Sequence, residues 1–271
     1  MPKANMLRVV TWNMYDWNER PFNLLGHVID DLHADVICLQ EVPEMVLRNL
    51  EDRGYRTFSA KDQMSGEKLS HLLILVRKRR GIVPDMDSHR VETHESSPST
   101  CIAARLFGFS WTMCLESHSV LLRVGKKKVR VVNCHLPAAV PVALRRIRLD
   151  EISRAHFGAE PTLFCGDLNT YGAWWRNALA GWIFGVAWDE LCVNEIKLLD
   201  RFAETHGLRR IFKSFRPRPW SLCGHITHPW TLSNIDHILA THGAFRIADR
   251  RRLDARHKSD HRGLLTDLVL I

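Results

Sequence analysis

An α+β fold is predicted for this 271-residue chain from three observations. Strand-like apolar runs outnumber helical patterns and interleave with them. Many of these runs are apolar at every position, as expected when a sheet is packed between a second sheet and a helix layer. The chemically distinctive residues fall where the apolar runs stop, so loops at strand ends can converge on one pocket. Apolar residues make up 45% of the chain, enough for a sizeable core. No low-complexity run, Pro/Ser-rich linker or internal repeat divides it, so one domain is expected over residues 1–271.

Residues 7–12 read as a buried strand leading to Asn13. Residues 22–32 have helical spacing, with Leu24, Leu25, Val28, Ile29 and Leu32 on one face. Residues 35–40 form a short apolar strand ending at Glu41. Residues 42–53 read as a second helix, closed by Gly54. Strands follow at 72–77, 101–107, 119–124 and 129–134; between the last two, Gly125 and Lys126, Lys127 and Lys128 read as a hairpin tip. The polar stretch 85–99 reads as a mobile surface loop. Residues 144–157 are helical in pattern, with Leu144, Ile147, Ile152 and Ala155 set among Arg, Asp and Glu. Residues 161–165 form a strand delivering Gly166-Asp167-Leu168-Asn169. Residues 194–206 are helical and capped by Gly207; strands at 234–240 and 263–270 close the series.

The N-terminal residues lack the apolar core of a signal peptide, and the longest uncharged apolar run, 178–188, falls well short of a bilayer span. A soluble, cytoplasmic protein is expected. The seven cysteines are scattered and include no C-x-x-C pair, which favours buried reduced thiols over disulfides or zinc. The formal charge is +8, with basic clusters at 77–80, 126–128, 145–148 and 250–252. Such a balance attracts polyanions and favours nucleic acid, although basic clusters are also common in solvated turns.

Six short motifs carry the chemistry: Thr11-Trp12-Asn13, Leu39-Gln40-Glu41, Asn133-Cys134-His135-Leu136, Gly166-Asp167-Leu168-Asn169, Ile235-Asp236-His237-Ile238-Leu239 and Ser259-Asp260-His261. Oxygen donors drawn from distant parts of a chain suit Mg²⁺ or Mn²⁺, which usually share their coordination with substrate phosphates. Metal-assisted hydrolysis of a phosphoester follows. Taken singly, an Asn or Asp after a strand is more often a turn residue or helix cap, and His135 could be a hydrogen-bonded loop residue. The ordered occurrence of all six points to catalytic use.

Together these motifs resemble the endonuclease/exonuclease/phosphatase (DNase I-like) superfamily, and their form is most similar to tyrosyl-DNA phosphodiesterase 2-like members. The resemblance implies a four-layer α/β/β/α sandwich with two mixed β-sheets and a Mg²⁺ (or Mn²⁺) cofactor. It implies Glu41 as principal metal ligand, Asn13 holding a metal-bound water or phosphate oxygen, and Asp260 as a second metal-associated carboxylate. Asp167 would orient and deprotonate the attacking water, and Asn169 would donate to the phosphorane oxygens. His261, fixed by Asp236, would contact the phosphate; His135 would stabilise the transition state or protonate the leaving oxygen. DNA-acting members often carry an acidic residue two positions after the T-W-N asparagine. Tyr15 stands there, which speaks against an abasic endonuclease. Arg145 or Arg146 matches a substrate-facing arginine of several branches.

The segment around Arg216, Arg218, Trp220 and Trp230 is basic and aromatic, suited to neutralising phosphate and stacking an unpaired base, or to packing a loop onto the body. The apolar residues 178–188 could touch a membrane as in sphingomyelinase-like relatives, but they include no basic residue. Burial against the body is preferred and no stable membrane association is expected. The leading expectation is a nuclease or DNA-end-processing phosphodiesterase. The alternatives are a phosphatase or phospholipid phosphoesterase, and a non-catalytic nucleic-acid-binding module.

Overall fold

The computed structural model describes residues 5–15, 18–50, 53–65, 68–79, 81–95, 113–137, 142–170, 194–212, 235–253 and 258–271. Twelve strands form two six-stranded mixed sheets. The first sheet has the order β11 (Phe245–Arg252), β12 (Leu264–Leu270), β1 (Met6–Asn13), β2 (Val36–Pro43), β4 (Lys68–Arg77), β3 (Tyr55–Ser65). The second has the order β5 (Ile82–Glu95), β6 (Met113–Val124), β7 (Lys127–His135), β8 (Thr162–Asp167), β10 (Asp236–Thr241), β9 (Leu208–Arg210). Each sheet has one parallel pair at its centre, β1 with β2 and β7 with β8; the remaining pairs are antiparallel.

Alternation of side chains then decides the layers. Val36, Cys38, Val131, Leu163 and Cys165 point into the space between the sheets and form one core cluster. Val10, Trp12, Ile37 and Leu39 point outward and are covered by Leu24, Leu25, Val28 and Ile29. These come from α1 (Pro21–Gly26) and the π-helical turn His27–Asp31 that continues it. On the second sheet Val132, Cys134 and Phe164 face outward against Leu149 and Ile152 of α3 (Val142–His156) and Leu199 and Ala203 of α4 (Glu195–Thr205). The result is the α/β/β/α sandwich implied by the motifs. No helix among the described residues is long and apolar enough to cross a membrane.

Some expectations are corrected. The helix expected over 42–53 shrinks to α2 (Glu44–Arg48), because Val42 and Pro43 remain paired with His71 and Ser70 in the sheet. Pro43, which lacks an N–H, then stands just before the first helical turn. The stretch 85–99, read as a loop, runs as strand β5 to Glu95 and pairs with β6. The structure adds strands β3, β9 and β11 to those expected. The strand expected at 101–107 lies outside the described residues. The hairpin tip at Gly125 and Lys126 joins β6 to β7 as expected.

Candidate active site

In a parallel pair both strands end at the same edge of the sheet. The two parallel pairs therefore bring four carboxyl-terminal ends to one mouth of the sandwich: Asn13 and Glu41 from the first sheet, His135 and Asp167 from the second. Asp167 sits at the centre. It is in register with His135 on one side and Asp236 on the other. Gly166 makes this position possible: its φ is 144°, and a Cβ there would lie 1.8 Å from the Cys134 carbonyl oxygen. Only glycine lets the β8 backbone lie that close to β7.

Asn13 bridges the two sheets. Its amide nitrogen donates to Glu41 Oε1 at 2.9 Å and to Asp167 Oδ2 at 3.1 Å. Its amide oxygen accepts the Tyr15 N–H at 2.9 Å. In this arrangement the amide nitrogen of Asn13 faces the carboxylates. The T-W-N and S-D-H motifs are clipped together beside it. Ser259 Oγ donates to the Asn13 carbonyl at 2.7 Å and accepts the His261 N–H at 3.0 Å, while Trp12 Nε1 donates to the His261 carbonyl at 3.1 Å.

Two imidazoles, each backed by a carboxylate, flank Asp167. His261 Nδ1 pairs with Asp236 Oδ2 at 2.9 Å, and its Nε2 lies 3.6 Å from Asp167 Oδ2 and 3.8 Å from Asp260 Oδ1. His135 Nδ1 pairs with Asp62 Oδ1 at 2.9 Å, and its Nε2 lies 3.6 Å from Glu41 Oε1 and 3.7 Å from Asp167 Oδ2. Burial works against charging either ring, but the surrounding carboxylates outweigh it and both are pushed up to about 10. Asp62 leads for His135 and Asp236 for His261. Asp167 is raised to about 6, first by desolvation and then by the Asp236 charge, against the pull of His261 and His135.

Asn169, at φ 45°, turns its amide nitrogen onto the Leu136 carbonyl at 2.7 Å and towards His135 Nε2 at 3.3 Å. With the Nδ1 proton given to Asp62, Nε2 can accept from Asn169 when the ring is neutral. When the ring is charged, Nε2 carries a proton facing Glu41 and Asp167. Asp62 is the participant that sequence reading missed. It is buried, and its second oxygen accepts the Glu41 N–H at 2.7 Å. No motif announces it, because it lies in a polar stretch of an edge strand.

The donor set fits a hard divalent cation. Ligand atoms of Asp167, Asp236 and His261 lie within 4.8 Å of one another, and Glu41 adds a carboxylate linked to Asp167 through Asn13. The desolvation that holds Asp167 near 6 is the condition a bound cation relieves. The cluster of Asp167, Asp236 and His261 shares no residue with the sequence assignment of Glu41, Asn13 and Asp260, but Asn13 bonds Asp167 and Asp260 lies 3.8 Å from His261.

The remaining expected residues separate. Arg145 is buried and committed: Nε and Nη2 donate to Glu195 Oε1 at 2.9 and 2.5 Å, and Nη1 to the Pro137 carbonyl at 3.2 Å. Its neighbour Arg146 is exposed and lines a groove of about 220 Å³ between α3 and α4, beside Thr170. Arg216, Arg218, Trp220, Trp230 and the apolar residues 178–188 lie outside the described residues. Two basic clusters lie at the far end of the sandwich. There Arg79 bonds Asp35 and the Met6 carbonyl, Lys78 N–H bonds Gly54, and Gly125 N–H bonds Gly81. The described free cysteines, Cys38, Cys134 and Cys165, are buried, and burial lifts the Cys38 and Cys134 thiols well above their usual range.

Residues 10–261 match the family model described as the Endonuclease/Exonuclease/phosphatase family. No curated protein sequence matches. Among solved structures, ANGEL2, described as a 2′,3′-cyclic phosphatase, matches at a TM-score of 0.67 and 17% identity over 97% of this chain and 95% of its own. The human Nocturnin catalytic domain, solved with a bound sulfate anion, gives 0.66 and 17% over 98% and 95%. TDP2 of D. rerio, solved with a single-strand DNA product, gives 0.64 and 15% over 97% and 98%. At these identities the likeness is one of fold.

Proposed function

The chain belongs to the endonuclease/exonuclease/phosphatase family, and on that premise we propose that it hydrolyses phosphodiester bonds of a nucleic acid with a divalent metal, Mg²⁺ or Mn²⁺. One observation carries the proposal: two carboxylate-backed imidazoles face a single buried carboxylate at the meeting point of two parallel strand pairs. Glu41, joined to Asp167 through Asn13, and Asp260, beside His261, would hold the metal, whose charge would polarise a phosphate oxygen. Asp167, in register between His135 and Asp236, orients a water and takes its proton. His261, kept cationic by Asp236, donates Nε2–H to a non-bridging oxygen. His135, kept cationic by Asp62, faces the other side of Asp167 and donates to the leaving oxygen. Asn169 gives its amide N–H to the phosphorane as charge grows there.

Nucleic acid is the favoured substrate because the chain carries a formal charge of +8 and Arg146 stands exposed on the groove beside Thr170. A panel of single-stranded and duplex DNA, a 5′-tyrosyl oligonucleotide, RNA, inositol phosphates and sphingomyelin, each with Mg²⁺, Mn²⁺ or EDTA, tests the assignment. The expected result is metal-dependent cleavage of an oligonucleotide. Turnover of sphingomyelin or inositol phosphates alone would transfer the site to the phosphatase or phospholipid reading. No turnover, with oligonucleotide binding intact, would leave a binding module.

A further inference from the structure

The metal-side carboxylate does not hold its own position. Along β2, Val36 and Cys38 face the inter-sheet core while Ile37 and Leu39 face the helix layer. Uninterrupted alternation would send residue 41 outward beside Leu39 and bring residue 42 inward. Instead Leu39 pairs with Leu73 and Val42 with His71, so Gln40 and Glu41 together oppose Leu72 alone. This is a β-bulge. Val42 accordingly faces outward, and Glu41, at φ 50°, adopts a left-handed backbone that favours glycine. The bulge is what turns a carboxylate into the mouth.

Side chains from the opposite sheet and from β3 of the same sheet bond the backbone at and beside the bulge. Asn133 on β7 is fully buried and reaches across the sandwich. Its amide nitrogen donates to the Leu39 carbonyl at 2.9 Å and the Leu73 carbonyl at 3.0 Å, the last regular pair before the bulge. Two carbonyl acceptors fix its orientation, so its oxygen must face Gln40. Gln40 Nε2 donates to that oxygen at 2.6 Å and to Thr11 Oγ1 at 3.1 Å. Asn133 shares a face of β7 with His135, two residues on. Asp62 secures the other flank by accepting the Glu41 N–H.

We propose that the buried Asn133–Gln40 amide pair is a positioning device that holds the β2 bulge from the opposite sheet and thereby sets Glu41 for metal binding. The metal half of this inference rests on the proposed function; the backbone half does not.

The test compares Asn133→Ala and Gln40→Met with Val131→Ala, a core truncation on the same strand and face, four residues before His135. Two quantities are read: hydrogen exchange of the Glu41 amide in metal-free protein, and Mn²⁺ affinity by calorimetry. In both amide variants the Glu41 amide is expected to exchange about ten-fold faster or more, relative to Val131→Ala at matched global stability, with Mn²⁺ affinity lower by about 10- to 100-fold. Unchanged Glu41 exchange in a folded amide variant overturns the proposal, as does a Val131→Ala effect of equal size. Failure of both amide variants to fold also overturns it, since the pair would then hold the fold and not the site. Wild-type protein that binds no Mn²⁺ defeats the proposed function instead, and the exchange result stands apart from it.

Discussion

Asp62→Ala removes one carboxylate that serves both halves of the site. The lost groups are the acceptor of the Glu41 N–H at 2.7 Å and the partner of His135 Nδ1 at 2.9 Å. Asp62 and His135 are both buried, so neither broken bond is replaced freely by water. Hydrogen bonds to charged groups contribute about 1.5–3 kcal/mol each, and removing one member of a buried ion pair costs about 3–5 kcal/mol. A loss of about 4 kcal/mol is expected, which for a chain of this size lowers Tm by roughly 10 °C. The pH dependence carries the sharper signature. Folded His135 titrates at about 10 against 6.5 for a free imidazole, so the folded state holds that proton more tightly. The resulting stabilisation is complete below pH 6.5 and is lost as pH rises through 10. His261 behaves alike. Stability of the metal-free wild type should therefore fall across this window, by up to about 1.4 kcal/mol per pH unit for each histidine. Asp62→Ala removes the largest of the causes that raise His135, ahead of Asp167 and Glu41, and should reduce the slope by up to half. Urea unfolding in EDTA at pH 6, 7, 8 and 9 measures both quantities. A loss under about 1 kcal/mol, or an unchanged slope, would refute the reasoning.

Other outcomes follow from the same geometry. Arg145→Ala strands the buried Glu195 carboxylate and should cost about 3–5 kcal/mol in chemical denaturation. Arg146→Ala should stay within about 0.5 kcal/mol of wild type in stability, yet raise KM for oligonucleotides more than it lowers kcat. Gly166→Ala places a methyl group against the Cys134 carbonyl; circular dichroism should show an unfolded or strongly destabilised chain.

The interior of the fold is legible in the sequence because central strands are covered on both faces. Runs such as Val-Ile-Cys-Leu and Leu-Phe-Cys announce β2 and β8 directly. The strands that escaped reading, β3, β5, β9 and β11, are the four edge strands of the two sheets. An edge strand pairs on one side only and carries charge that blunts association with other chains. Its sequence, as in Phe245–Arg252 with four arginines, therefore resembles a loop. The site follows the same division. Asn13, Glu41, His135, Asp167 and Asp236 stand at or near the ends of interior strands, His261 stands in the loop before β12, and all are legible as motifs. Asp62 stands on β3 and is not, although it contacts two of them. Arg145 and Arg146 could be told apart only when α3 showed which one turns to Glu195. The left-handed turn at Glu41 was hidden for another reason: a bulge is a relation between two strands, and one strand's sequence does not contain it.

Single-turnover cleavage of a labelled oligonucleotide by the wild type, Glu41→Ala and Asp167→Asn, each with Mn²⁺ and with EDTA, bears most directly on the shared centre. Wild-type cleavage with Mn²⁺ is expected to vanish in EDTA and to fall by about 10³-fold or more in each variant, with both variants folded. Cleavage that persists in EDTA, or that survives loss of either carboxylate, would contradict the account.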